Sequence, residues 1–327
     1  FIAAALLGSA TAQAQTWVKT TAPDTLYYSR VLTVGNDTIY AFAGVWPSSG
    51  HLVSSFDGGK TWSVNSSTTR MNGAIATPFG VHVNYQYNVS MSVQYTQDGG
   101  KNWGTITGST DQSSEGGHRA IAVRTDGKML FATLVGYQKT SDDYLTLSPR
   151  FGSAYEYTFE WEYQATNPNT GRILLGRNSG SNQVSATDDN GLTFTRQTKI
   201  HDIWGNIYAP IVRYSNANNF YNGCSGGIIK STDNGENWAK IGMPAGNPGP
   251  MSDFQVNRFD HVLRVHGGES KIYLSTDGGV TFNAANNGIG ASVAVGPLGS
   301  TRDGSFWMAS SGTAASPGGI YKLETAT

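Results

Sequence analysis

The sequence predicts an all-β chain, folded as a single propeller of small antiparallel sheets. Three observations carry this. An eight-residue pattern, Ser/Thr-x-Asp-x-Gly-x-x-aromatic, returns along the chain at 55–62, 96–103, 187–194, 231–238 and 275–282. A worn copy without the glycine spans 140–147. The aspartates, read as Asp57, Asp98, Asp142, Asp189, Asp233 and Asp277, are spaced by 41, 44, 47, 44 and 44 residues. Self-similarity at about 40–50 residues marks a solenoid or a propeller. Second, apolar and polar residues alternate in short runs such as Lys271-Ile272-Tyr273-Leu274-Ser275, and no stretch sustains a helical period. Third, the two ends of the chain complement each other. The last repeat lacks a fourth strand, and a spare strand, Thr16-Trp17-Val18-Lys19-Thr20, precedes the first.

The recurring pattern fits a hairpin turn. Its aspartate accepts backbone N–H groups across the turn. Its glycine takes a positive φ without steric cost. The leading hydroxyl bonds the same turn, and the closing Trp or Phe buries a large ring between neighbouring sheets. Near-copies at a fixed period serve a repeat rather than one active site, so the six aspartates are read as structural.

Taken in order, residues 1–14 come first. An apolar run, Phe1 to Gly8, is followed by Ala12-Gln13-Ala14, the small-x-small signal of an export peptide. A single domain is expected over 15–327, and the protein is expected to be secreted and monomeric. Each unit then reads as strand A, turn, strand B, strand C, patterned turn and strand D. In the first unit these are 29–34, 38–45, 51–55 and 61–65; in the fifth they are 208–214, 219–224, 227–231 and 237–241. Strands at 292–295, 305–309 and 319–323 come after the last patterned turn. Pairing them with the N-terminal strand makes seven four-stranded blades and closes the ring, which removes exposed sheet edges. Six blades result instead if these strands form an irregular cap.

Composition narrows the partners. The formal net charge is −1, 14% of residues are charged and Gly reaches 41. No basic stripe is present, which argues against nucleic acid and against an anionic membrane surface. Cys224 is the only cysteine, so no internal disulfide forms. Three sequons, at Asn36, Asn65 and Asn88, are glycan acceptors in a eukaryotic host. No metal-ligand spacing, phosphate loop or Gly-x-Ser-x-Gly elbow is found, and no cofactor is expected.

The pattern resembles the Asp-box, or BNR repeat, of a propeller superfamily. That superfamily includes sialidases, xyloglucan-cleaving glycosidases, sortilin-type receptors and photosystem assembly factors. The resemblance covers nearly the whole chain after residue 14. It is specific for fold and weak for activity. It implies that the patterned turns lie at the outer rim of one face, and that loops entering strand A crowd the opposite mouth of the channel. Tyr28-Ser29-Arg30-Val31 partly resembles the sialidase Phe/Tyr-Arg-Ile-Pro segment, whose arginine grips a substrate carboxylate. Arg119, Arg213 or Arg258 would supply its companions. The xyloglucan-cleaving enzymes use two propellers, so their catalytic pair does not carry over.

Polar and aromatic residues near the start of each strand A supply the candidate site. In 155–163, alternation sets Glu156, Thr158, Glu160 and Glu162 on one face, with residues two apart separated by about 6.6 Å. Glycosidases place paired carboxyls about 5–9.5 Å apart. Glu160 or Glu162 is therefore the expected acid/base, with His201, Asp202 or Asp253 opposite. Arg30, His118 and Arg119 would orient a substrate, and Tyr28, Trp204 and Tyr208 would stack on it. The leading function is a secreted glycoside hydrolase or lyase acting on an extracellular poly- or oligosaccharide. The alternatives are a glycan- or protein-binding propeller without chemistry, and a scaffold.

Overall fold

The computed structural model describes residues 15–24, 28–43, 50–67, 71–77, 80–87, 90–107, 118–133, 138–141, 143, 145, 146, 148, 149, 164–176, 184–196, 211–215, 218–224, 227–244, 251–266, 271–290, 293–311 and 318–325. These residues form a β-propeller of small antiparallel sheets.

Chain order gives the sheets directly. After β1 (Gln15–Lys19) come β2 (Tyr28–Val34), β3 (Thr38–Ala43), β4 (Gly50–Ser55) and β5 (Ser63–Ser67), one meandering sheet. The next is β6 (Met71–Thr77), β7 (Gly80–Tyr87), β8 (Ser90–Thr96) and β9 (Gly104–Thr105). A sheet of three comes next: β10 (His118–Val123), β11 (Met129–Thr133) and β12 (Gln138–Ser141). Then come β13 (Gln164–Thr166), β14 (Ile173–Gly176), β15 (Val184–Thr187) and β16 (Thr195–Arg196). They precede β17 (Ile211–Ser215), β18 (Asn219–Cys224), β19 (Gly227–Ser231) and β20 (Ala239–Lys240). The next sheet is β21 (Met251–Val256), β22 (Val262–His266), β23 (Lys271–Ser275) and β24 (Asn283–Ala284). Last are β25 (Ala294–Ser300), β26 (Phe306–Ser311) and β27 (Gly319–Thr325), whose outer edge is taken by β1. Of the seven four-stranded blades expected, the described residues form six. Six sheets are four-stranded blades, and β10–β12 has three strands among the described residues.

The ring closes through the two ends of the chain. Strand β1 pairs antiparallel with β27, in the register Trp17 to Leu323. Trp17 is 2% exposed, and its Nε1 donates to the Ala285 carbonyl in the neighbouring sheet at 2.8 Å. The first strand of each sheet lies beside the first strand of the next, from β2 round to β25, and β25 lies beside β2. Apolar clusters fill the gaps between sheets. Tyr40, Phe42 and Leu52 meet Ala74 and Val81 in one gap, and Tyr28, Val31 and Ile39 meet Trp307 and Ile320 in another.

The patterned turn has the same geometry in its five full copies. In the first, the Ser55 hydroxyl donates to Asp57 at 2.8 Å and accepts the Gly59 N–H at 2.9 Å. Asp57 accepts the N–H groups of Lys60 and Thr61 at 3.0 and 2.9 Å, and the Thr61 hydroxyl at 2.6 Å. Asn102 and Asn237 replace that threonine in two other turns, each donating an amide N–H at 2.6 Å. The worn copy is off by one residue from the sequence expectation. Its carboxylate is that of Asp143, which accepts from Ser141 and from the N–H groups of Leu145 and Thr146, while Asp142 lies outside the described residues.

The second glycine of the turn makes a close approach to the preceding sheet. Gly59, at φ +85°, leaves room for Trp307; a Cβ there would stand 2.6 Å from the indole. Gly279 does the same over Ile241, at 2.4 Å. The turn is thus a dock between blades as well as a hairpin.

Candidate functional site

A cavity of about 470 Å³ opens at the hub. It is lined by the first strands of six sheets: β2, β6, β13, β17, β21 and β25. Its size is within the range of about 300–1,000 Å³ common for ligand sites. Its polar groups include Arg30, Arg213, Asp253, Gln164 and Gln255.

Bulges shape this lining. Register shifts fall between Tyr28 and Arg30 in β2, Met71 and Gly73 in β6, Ala120 and Ala122 in β10, Met251 and Asp253 in β21, and Val295 and Leu298 in β25. One extra residue in each of these five strands breaks the two-residue period and turns the later side chains of the strand to the other face. Ser29 and Ser252 are equivalent bulge residues. Each hydroxyl donates to a carbonyl of its partner strand, Phe42 at 3.4 Å and Val265 at 3.2 Å.

Asp253 is the charged centre of the lining, with its side chain 17% exposed. It accepts the N–H groups of Phe254 at 2.8 Å and of Leu298, on β25, at 2.9 Å. The Arg213 guanidinium, on β17, stands 3.4 Å away. Three sheets therefore converge on one carboxylate. Burial raises its pKa above the ordinary carboxylate value, against the opposing pull of Arg213, the two N–H groups and Arg30. Arg213 is loosely held. Its contacts to Asp253 and to the Val212 carbonyl are 3.4 and 3.2 Å, and its buried Nε has no hydrogen-bond partner among the described residues.

Of the expected site residues, Arg30 and Asp253 both line the cavity. Tyr28 does not, which corrects its expected stacking role. It is 1% exposed, packs beside Trp307 and donates its hydroxyl to the Pro23 carbonyl at 2.7 Å. The bulge at Ser29 sends Tyr28 to the core while Arg30 lines the cavity. His118 and Arg119 open β10, and their side chains lie outside the described residues. Glu160, Glu162, His201, Asp202, Trp204 and Tyr208 also lie outside them. Sequence reasoning missed Gln164 and Gln255. The signal that finds such residues is a polar side chain interrupting the apolar run of a first strand, as Arg213 does in Ile211-Val212-Arg213-Tyr214-Ser215.

No protein-family model and no curated protein matches the chain. Solved propellers do match in structure. One is YCF48 bound to D1 peptide, at TM-score 0.68 and 16% identity, covering 96% of each chain. YCF48 from Cyanidioschyzon merolae aligns at 0.65 and 13% identity, covering 94% of this chain and 98% of that one. A streptogramin B lyase aligns at 0.66 and 12% identity, over 95% and 97%. At these identities the likeness is one of fold, and the two kinds of neighbour differ in function.

Proposed function

We propose that the chain is a secreted, monomeric, carbohydrate-active propeller of the Asp-box type, with β10–β12 as an incomplete seventh blade. In this reading the hub channel takes part of an extracellular poly- or oligosaccharide. The observation that supports it is the convergence of Arg30, Arg213 and Asp253, with Gln164 and Gln255, on one cavity. Guanidinium and amide donors fork onto sugar hydroxyls, and a carboxylate accepts from them. A carboxyl whose pKa is raised by burial is also better suited than an ordinary one to donate a proton to a glycosidic oxygen. Glu160, Glu162, His201 and Asp202 remain the candidates for the opposing group.

One observation favours a second reading, binding without turnover. Asp253 already accepts two backbone N–H groups and faces Arg213, which holds the carboxylate in a structural role.

A glycan array run beside a release assay on plant, fungal and animal polysaccharides separates the readings. Turnover that disappears in Asp253→Asn, or in the Glu160→Gln and Glu162→Gln pair, supports the enzyme. Binding without release supports the second reading. Neither binding nor release overturns both.

A further inference from the structure

A second cleft, of about 230 Å³, lies away from the hub, between the turn joining β21 to β22 and the turn joining β25 to β26, with Gln15 of β1 at its border. We propose that this cleft is a separate site for a single neutral pyranose unit, held against Phe259 with its hydroxyls on His261 and Ser305. The inference goes beyond the channel reading and does not depend on it.

The aromatic platform is unusual for a turn. Phe259 is 54% exposed, yet its position is fixed. The ring seats against Gly304, where a Cβ would stand 2.5 Å from Phe259 Cε2. The Arg258 guanidinium lies 4.5 Å from the ring centre. Asn257 holds the turn from within. Its Oδ1 accepts the N–H groups of Phe259 and His261, and its Nδ2 donates to the Gly304 carbonyl at 2.8 Å, which ties the two turns together. A preorganised apolar face of this kind loses little entropy on binding.

The polar side of the cleft is equally defined. His261 lies 5.8 Å from Phe259, ring centre to ring centre, at 44°. Its imidazole nitrogens make no hydrogen bond among the described residues. Burial lowers its pKa, against the opposing charge of Asp260, so near neutral pH it presents one donor and one acceptor. On the other wall, the Asp303 carboxylate accepts the Ser305 N–H and hydroxyl at 3.0 and 3.1 Å.

A pyranose matches this arrangement. It has an apolar C–H face for the phenyl ring and hydroxyls that both donate and accept. The Asp303 carboxylate on the cleft wall disfavours an acidic sugar. The volume suits one ring rather than a protein surface.

The test is an NMR titration of the His261 imidazole in the intact protein, using the methyl glycosides of glucose, galactose, mannose, xylose and N-acetylglucosamine. Wild type is expected to show a saturable shift with at least one of them. Phe259→Ala, a substitution at an exposed ring, is expected to weaken that affinity about tenfold. Arg213→Ala, in the hub channel, is expected to leave it unchanged, so failure here is distinct from failure of the channel reading. No saturable shift with any of the five glycosides overturns the proposal. So does a shift of equal affinity in Phe259→Ala.

Discussion

Gly59 and Gly235 make a matched pair for testing the idea that the patterned turn docks each blade on its predecessor. Their backbones are nearly the same, at φ +85° and +87°. Replacing either with alanine therefore carries a similar backbone cost, about 1–2 kcal/mol for a left-handed non-glycine residue. The surroundings differ. At Gly235 the nearest neighbour of an added Cβ is Leu174, at 3.5 Å, an ordinary contact. At Gly59 the added carbon meets Trp307 at 2.6 and 2.9 Å. That indole is 1% exposed, donates from Nε1 to Thr301 at 3.3 Å and has the Lys322 ammonium 5.6 Å from its ring centre, so it has little room to retreat. Overpacking of this kind costs about 1–3 kcal/mol. Urea unfolding followed by fluorescence should show both variants less stable. Gly59→Ala should lose about 1–3 kcal/mol more than Gly235→Ala, at an unchanged denaturant slope. Equal losses would refute the docking role and leave the glycine as a turn residue only.

Acid stability tests the carboxylates of the same turns. In Asp57 hydrogen bonds led by the Thr61 hydroxyl, and in Asp98 those led by the Asn102 N–H, hold the pKa down to about 2. In Asp277 burial pulls upward, but hydrogen bonds from Ser275 and Thr281 outweigh it and the value again falls to about 2. A pKa depressed by folding gives stability that is fully present above the unfolded value of about 4 and lost as pH falls towards 2. Thermal melts across that window should show a steep decline, and a shallower one in Asp98→Asn. Arg172 forks onto Asp188 at 2.7 and 2.7 Å and reaches Glu236 and the Asn234 carbonyl, joining β14's sheet to the next patterned turn. Arg172→Lys keeps the charge but loses the fork. With both carboxylates more than half exposed, the expected cost is about 0.5–1 kcal/mol by urea unfolding. Trp17→Ala removes the anchor of the closing strand. It should cost about 3–5 kcal/mol in the same assay, and an unaffected midpoint would contradict closure through β1.

The repeat was legible because hairpin chemistry is local. Hydroxyl, carboxylate and glycine stand within five residues, and each turn reproduces the same bonds. The worn copy misled for a related reason. Thr140-Ser141-Asp142-Asp143 satisfies Ser/Thr-x-Asp in two frames, and only the end of β12 at Ser141 selects the second. The site was harder to read because bulges have no strong sequence mark. Simple alternation puts Tyr28 and Arg30 on one face, whereas the extra residue Ser29 separates them. Arg30 and Asp253 were found from their places at the start of first strands. Gln164 and Gln255 were missed because uncharged amides within short strands look like solvent-facing residues.

The most direct measurement is a crystal structure of the protein soaked with the saccharide that a glycan array selects. The account predicts density for that saccharide in the hub cavity, within hydrogen-bond distance of Arg30, Arg213 or Asp253. An empty hub, with saccharide density only at the rim or nowhere, would contradict it.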